Sequence, residues 1–387
     1  MNTLKFKQDF TQAALDFGFS NVRFIAAEPL LKDELRFLKW RAEGNAAQMS
    51  YLKRANPINA RPQNLLKEAR TLIMLTADYA ELQADFKPTD GKSYGRVAAY
   101  ATGKDYHKVL KRKIKDFLCE YSNLNDYLKR ARFFTDAVPL LEKSFARAAG
   151  LGFIGKNSLL ISRTTGSNKF ILEIITDLKL PVDEDESLEA AGTCGACQRC
   201  AEICPSGALD REFILDARKC LSYWNIETQG KIPAHIMAAM GEWLFGCDLC
   251  QQICPYNRKV KPLTKVFNEF NASAGAGYYQ QLEKILIMDP VQMNYEEKLA
   301  SMHSSSYHKC LKSFKSLTES EFCNQLFFEL YGQTPLSRVK RLGLIRNALI
   351  VATNLADQTL LPFIKNFVKH ESETIKYTAD WALEKLN

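Results

Sequence analysis

No stretch of the sequence approaches the roughly 18 consecutive apolar residues of a membrane-spanning helix, so no membrane partner is expected. The opening MNTLKFKQDFTQAALDFGFS carries its apolar residues at helical spacing rather than in one block, which excludes a signal peptide and predicts a cytoplasmic protein. With 46% hydrophobic and 25% charged residues, the chain is not predominantly disordered. In a cytosolic setting its eleven cysteines are not a disulfide framework. At 387 residues the chain is too long for one ordinary core, so two or three domains are expected.

The cysteines are clustered, with eight of the eleven within residues 194–254. Cys194, Cys197, Cys200 and Cys204 follow the spacing C-x2-C-x2-C-x3-C and are closed by Pro205. In this bacterial ferredoxin run three thiolates hold one [4Fe–4S] cube and the fourth reaches a second cube. A loop through Gly195 and Ala196 can wrap that closely and point backbone N–H groups at sulfur. Pro205 suits a first helical turn. The second block, Cys247, Cys250, Cys254 and Pro255, lacks its first cysteine, because position 244 is Leu244. Two cubes need eight thiolates, and Cys220 between the blocks completes the count. Cluster one is then Cys194, Cys197, Cys200 and Cys254; cluster two is Cys204, Cys220, Cys247 and Cys250. Structural zinc is the competing reading, but it favours paired ligands at closed tetrahedral sites. Cys119, Cys310 and Cys323 stand apart and are expected to be buried thiols.

The rest of the chain reads as α+β and multidomain. Residues 1–185 interleave amphipathic helices (LKFKQDFTQAALDFGF, HKVLKRKIKDFLCEYSNL) with strand-length apolar runs (RTLIMLTADYA, KFILEIITDL), predicting an α/β or α+β domain that encloses a ligand. Acidic VDEDESLE (182–189) reads as a linker into a ferredoxin-like region, 186–262. Beyond 262 strand signals fade, and 263–387 reads as helical, with a short HEAT-like repeat weighed against a plain bundle. A net charge of +8 is concentrated in KDYHKVLKRKIK (104–115), YLKRARFF (127–134), NRKVKPLTK (257–265) and PLSRVKRLGLIRN (335–347). Such clusters suit either solvated helix faces or a polyanionic partner.

RFFTDAVPLLEKSFARAAGLGFIGKNSLLIS (132–162) is the densest stretch. Asp136 falls at a strand end or turn, followed by a helix closing at Gly150 and two more glycines at a close backbone approach. A carboxyl there can donate a proton if burial keeps it protonated; a helix-capping aspartate is the alternative.

TDAVPLLEKSFARAAGLGFIGKNSLLI, the segment GKDYHKVLK, the block GCDLCQQICPYN and SYWNIE beside Cys220 together resemble the epoxyqueuosine reductase family. These are cobalamin- and iron–sulfur-dependent enzymes of tRNA modification, related in their core to reductive dehalogenases. The resemblance runs from about Met49 to Asn354 and includes RLGLIRNALIVATN, which is similar to the family's helical repeat. It implies an N-terminal cobalamin-binding domain, two [4Fe–4S] clusters on the eight cysteines already counted, and Asp136 as the catalytic acid near cobalt. It implies cofactor contacts at Tyr106, His107, Tyr223 and Glu227, and at Arg61 ahead of the first strand. The implied partners are a tRNA anticodon loop carrying epoxyqueuosine and an external electron donor such as flavodoxin or ferredoxin, with the enzyme a monomer. Two local departures are Trp224-Asn225 where the family usually has Leu-Thr, and Ala137-Val138 where it has Thr-Gly. The cobalt-ligating pattern D-x-H-x-x-G is absent, since DYHKVL has Leu110 at the glycine position. Two readings of other classes remain: a reductive dehalogenase-like enzyme acting on a small organohalide, and a ferredoxin-type electron carrier with no use for Asp136.

Overall fold

A computed structural model describes residues 2–54, 60–79, 87–136, 138, 140–183, 192–258, 266–292 and 318–386. Nine strands are described: β1 Asn21–Ala26, β2 Thr71–Asp78, β3 Tyr94–Val97, β4 Arg132–Phe134, β5 Phe153–Ile154, β6 Leu160–Ile161, β7 Lys169–Thr176, β8 Trp243–Phe245 and β9 Tyr279–Gln281. The chain forms two compact units. The first comprises Met1–Gln83, Tyr106–Arg218 and Asp248–Asn271; the second comprises Ala84–Asp105, Lys219–Cys247 and Ala272–Asn387. Each is built from separated segments, a partition different from three consecutive stretches divided at 185 and 262.

The first unit is built on a sheet of order β1-β2-β7-β4 in which every pairing is antiparallel. The two strand-length apolar runs form its centre, and β2 is buried along its whole length. Cross-strand neighbours share a face. One face carries Ile73 opposite Phe24, whose ring meets Phe10 of the helix Thr3–Phe17; Phe10 in turn meets Phe117 of the helix Tyr106–Glu120. The other face carries Leu72, Met74, Phe134 and Ile175, packed with Leu140, Phe145 and Ala146. A sheet covered on both sides by helices would suit a parallel βαβ arrangement, but the pairing makes this unit α+β.

In the second unit β3 pairs in parallel with β8 and antiparallel with β9. The strand β9 lies within NASAGAGYYQ and its flank, where no strand is expected from the sequence; it adds to an edge rather than forming its own layer. The helix Lys340–Asn354 is buried almost throughout, from Leu344 to Thr353. A helix apolar on all sides belongs inside its domain, and this one packs against Glu373–Leu386 and Leu282–Leu286.

Two local expectations change. Cys119 is exposed on the outer face of Tyr106–Glu120, whereas Cys323 is buried as expected. Pro205 lies in a turn past the helix Arg199–Glu202, while Pro255 does open a helix, Pro255–Arg258. Cys310, most of the 182–189 linker and most of NRKVKPLTK lie outside the described residues.

Candidate functional site

The strand β4 stops at Phe134, and the chain turns sharply through Thr135 and Asp136. Thr135 Oγ1 donates to the carbonyl of Ile171 at 2.8 Å and ties the turn to β7. Asp136 has φ +48°, a left-handed conformation that aspartate tolerates better than most residues. Its backbone N–H donates to Glu142, the first residue of the helix Glu142–Ala148. Asp136 does not cap that helix: the N-cap is Leu141 and makes no side-chain bond. The carboxylate of Asp136 is 63% exposed and accepts from the Tyr106 phenol at 2.5 Å, with His107 Nε2 at 3.4 Å from the same oxygen. The Tyr106 ring lies between His107 and Phe170, at centroid distances of 4.0 and 4.4 Å. Three residues expected near the cofactor, Asp136, Tyr106 and His107, therefore meet.

Burial falls elsewhere than the sequence suggests. Asp136 is exposed, while its neighbours Glu142 and Glu173 carry the perturbed carboxyls. Burial, reinforced by the negative charge of Asp136, pushes Glu142 up to about 8. Glu173, in the middle of β7, is fully buried, and burial followed by repulsion from Glu142 and Asp136 holds it well above the carboxylate range. Among the described residues, neither oxygen of Glu173 has a hydrogen-bond partner. The sequence signal was a lone acidic residue inside the apolar run KFILEIIT.

The helix Glu142–Ala148 ends before Gly150, at φ +75°, and leads to the hairpin β5–β6. At Gly152 a Cβ would collide with the carbonyl of Ile161, so only glycine allows this close approach. The hairpin walls a cavity of about 480 Å³ bordered by Cys194, Cys197, Cys200 and Cys254. Both blocks thus contribute thiols to one cavity, with the last cysteine of the second block joining the first three of the first. The cavity is also lined by Lys156, Arg163 and Arg199 and, among the described residues, by no carboxylate. Lys156 donates its backbone N–H to Cys194 Sγ at 3.4 Å, and its buried ammonium pairs with Glu212 at 2.7 Å. The Glu212 bond, followed by the nearby thiols of Cys194 and Cys197, holds that ammonium above its usual range. The Gly195 N–H goes to Thr193 Oγ1 rather than to sulfur. Cys204 accepts from the Ala208 N–H at 3.3 Å, and the carbonyl of Cys250 accepts from Asn157 at 3.5 Å.

In the second unit Cys220 opens a helical turn, its carbonyl accepting from Tyr223 and Trp224, and a π-helical turn Tyr223–Glu227 follows. Asn225, one of the two departures in SYWNIE, is fully buried and exchanges two 2.9 Å bonds with the N–H and C=O of Gly246, directly before Cys247. Asn347 donates to the carbonyls of Asn225 and Leu244, and Arg346 donates to those of Trp224, Thr228 and Gly230. Tyr223 is buried beside Trp224, and Glu227 binds Arg338 through two bonds of 2.7 and 2.9 Å. Arg346 and Arg341 are therefore interior groups, Arg341 pairing with Asp289 at 2.6 Å, and are not available for phosphate. In the first unit Arg61 pairs with Glu34 at 3.2 Å and precedes β2, the second strand rather than the first.

Four thiols lining one cation-lined cavity, in a unit that also presents an exposed acid, suit the class of iron–sulfur oxidoreductases. Residues 193–257 match the family model of a 4Fe-4S double cluster binding domain, and residues 60–137 match that of epoxyqueuosine reductase QueG, DUF1730. The chain is 36% identical over 265 residues to an epoxyqueuosine reductase of Cellulophaga algicola, covering 68% of this chain and 83% of that one. It is 36% identical over 252 residues to the epoxyqueuosine reductase of Escherichia coli (strain K12), covering 65% of each. The match thus spans just under two thirds of the Escherichia coli relative. A crystal structure of epoxyqueuosine reductase with a tRNA-Tyr epoxyqueuosine-modified stem loop superposes with a TM-score of 0.77 at 23% identity, covering 99% of this chain and 90% of that one. The chain belongs to the epoxyqueuosine reductase family.

Proposed function

We propose that this protein reduces the epoxide of epoxyqueuosine, at the wobble position of a tRNA anticodon loop, to the alkene of queuosine. The observation that carries the reading is Asp136, held exposed by Tyr106 and His107 in the same compact unit as a four-thiol cavity.

The residues fit the two groups that the reaction needs. A [4Fe–4S] cube with four thiolates is a net anion, and a cavity lined by four sulfurs and three cationic side chains suits it in donor type and charge. Cys194, Cys197, Cys200 and Cys254 would hold one cluster, and Cys204, Cys220, Cys247 and Cys250 the other. Cobalamin suits the Asp136 face, where an exposed carboxyl, a phenol and an imidazole gather with no cobalt-ligating sequence pattern beside them. When bound, it supplies a reduced cobalt able to react at the epoxide carbon.

The chain's own residues do the rest. Asp136 delivers a proton to the departing epoxide oxygen, Tyr106 and His107 orient its carboxyl, and the thiolates fix the electron path. Tyr223, Glu227 and Arg61 are assigned as more distant cofactor contacts. An unstacked wobble base can enter such a site from a single-stranded loop. With Arg341 and Arg346 interior, phosphate contact is assigned to exposed Lys108, Lys111 and Lys115 on the helix Tyr106–Glu120. Along the chain, the cobalamin-binding role is assigned to residues 1–185, the cluster-binding role to 186–262 and the HEAT-like helical role to 263–387, stretches that do not coincide with the two compact units. The enzyme acts as a cytoplasmic monomer fed by an external one-electron donor such as flavodoxin or ferredoxin.

The test is anaerobic reconstitution with iron, sulfide and cobalamin, followed by nucleoside analysis of an epoxyqueuosine-bearing stem loop. Conversion to queuosine is expected; unchanged epoxide with both cofactors bound would overturn the reading.

A further inference from the structure

The proposed reduction needs two protons, and a bound substrate and cofactor over Asp136 would cut that acid off from water between them. Converting an epoxide to an alkene breaks two C–O bonds, forms one C=C bond and releases the oxygen as water, so it takes up two electrons and two protons. The electrons come one at a time from an external donor. Asp136 alone carries one proton.

We infer that Glu142, backed by Glu173, holds the second proton and reloads Asp136 within each turnover. This rests on the reading above. Its geometric basis is the placement of three carboxyl groups about the turn that follows β4. Glu142 accepts the backbone N–H of Asp136 at the start of the helix Glu142–Ala148. Glu173 lies directly opposite Phe134, two residues before Asp136, and opposite Met74 on its other side. Its side chain therefore points to the sheet face shared by Phe134, Leu140, Phe145 and Ile175. A carboxyl group fully buried in that apolar layer with both oxygens unpartnered cannot persist as an anion, because nothing replaces the lost hydration. It is a neutral acid on the sheet face beside Phe134, two residues before Asp136.

The charged and titratable groups facing Glu142 are Asp136 from the turn, Lys143 from its own helix, His107 from the helix Tyr106–Glu120 and Glu173 from β7. Burial and the Asp136 charge outweigh the two cations and keep Glu142 protonated at neutral pH. Once Asp136 gives up its proton, transfer of the Glu142 proton to it restores the acid beside the half-reacted oxygen, and the half-buried Glu142 is reprotonated from solvent before the next turnover. Glu142 and Glu173 act through Asp136 and are positioning residues.

Glu142→Gln keeps an oxygen for the Asp136 N–H but carries no proton. With reduced, cofactor-loaded protein and an epoxyqueuosine stem loop, kcat is expected to fall about a hundredfold, within the range of general acid catalysis. KM is expected to hold. The wild-type decline in rate as pH rises through the Glu142 titration is expected to vanish in the variant. A variant with wild-type rate and pH profile overturns the relay alone. A wild-type protein that leaves the epoxide intact overturns the reaction and the relay with it. A second measurement needs no turnover: 13C-edited infrared titration of the protonated carboxyl stretch. Asp136→Asn is expected to lower the Glu142 midpoint, and Glu173→Gln to remove a band that does not titrate between about pH 5 and pH 9. An unmoved Glu142 midpoint overturns the coupling.

Discussion

The phenol of Tyr106 donates to Oδ2 of Asp136 at 2.5 Å while its ring lies 6° from parallel on Phe170. The stack fixes the ring and the bond fixes the acid. A hydrogen bond to a charged group is worth roughly 1.5–3 kcal/mol, so Tyr106→Phe is expected to lower kcat roughly ten- to a hundredfold. Iron and cobalamin content is expected to be unchanged. Loss of either cofactor instead would show that Tyr106 supports binding rather than the acid.

The four thiols of one cavity come from both cysteine blocks. Cys254→Ala is therefore expected to remove one cluster and leave about four of about eight irons per chain. Cys220→Ala is expected to remove the other. Iron analysis and EPR of the reduced protein check both, and retention of about eight irons in either variant contradicts the ligand sets.

Arg346 has no exposed surface, and its guanidinium serves three carbonyls around the π-helical turn, with burial pushing it down to about 10. Arg346→Met is expected to destabilise the second unit by about 3 kcal/mol, because each unsatisfied buried acceptor costs roughly 1–3 kcal/mol. Urea unfolding measures it; a loss below about 1 kcal/mol would mean that water replaces the guanidinium.

The raised Glu142 gives a pH signature in stability. Between the ordinary carboxyl value of 4.5 and about 8, the folded chain keeps a proton that the unfolded chain has released. Stability from this group is thus full below the lower value and falls as pH rises toward the upper one. The urea midpoint of Glu142→Gln, relative to wild type, is expected to rise between about pH 5 and pH 8. Parallel curves would contradict the burial of this carboxyl.

Much of this was legible in the residues. Cys194, Cys197, Cys200 and Cys254, grouped by spacing, line one cavity, and the turn after RFF forecast the position of Asp136. The two central strands and the long helices follow from apolar periodicity, which is local. Antiparallel pairing, β9 and the discontinuous units depend on contacts between distant segments that periodicity does not encode. The basic run at 335–347 misled for a related reason: charge density does not reveal that Arg341 and Arg346 point inward to Asp289 and to backbone carbonyls. Burial around the acid was also hidden, because it falls fully on Glu173 and partly on Glu142 rather than on Asp136.

The most direct measurement is Asp136→Asn in a single turnover, with cluster and cobalamin content verified and the stem-loop nucleosides separated afterwards. The account predicts intact cofactors, bound substrate and no queuosine. Queuosine formed at the wild-type rate would contradict it.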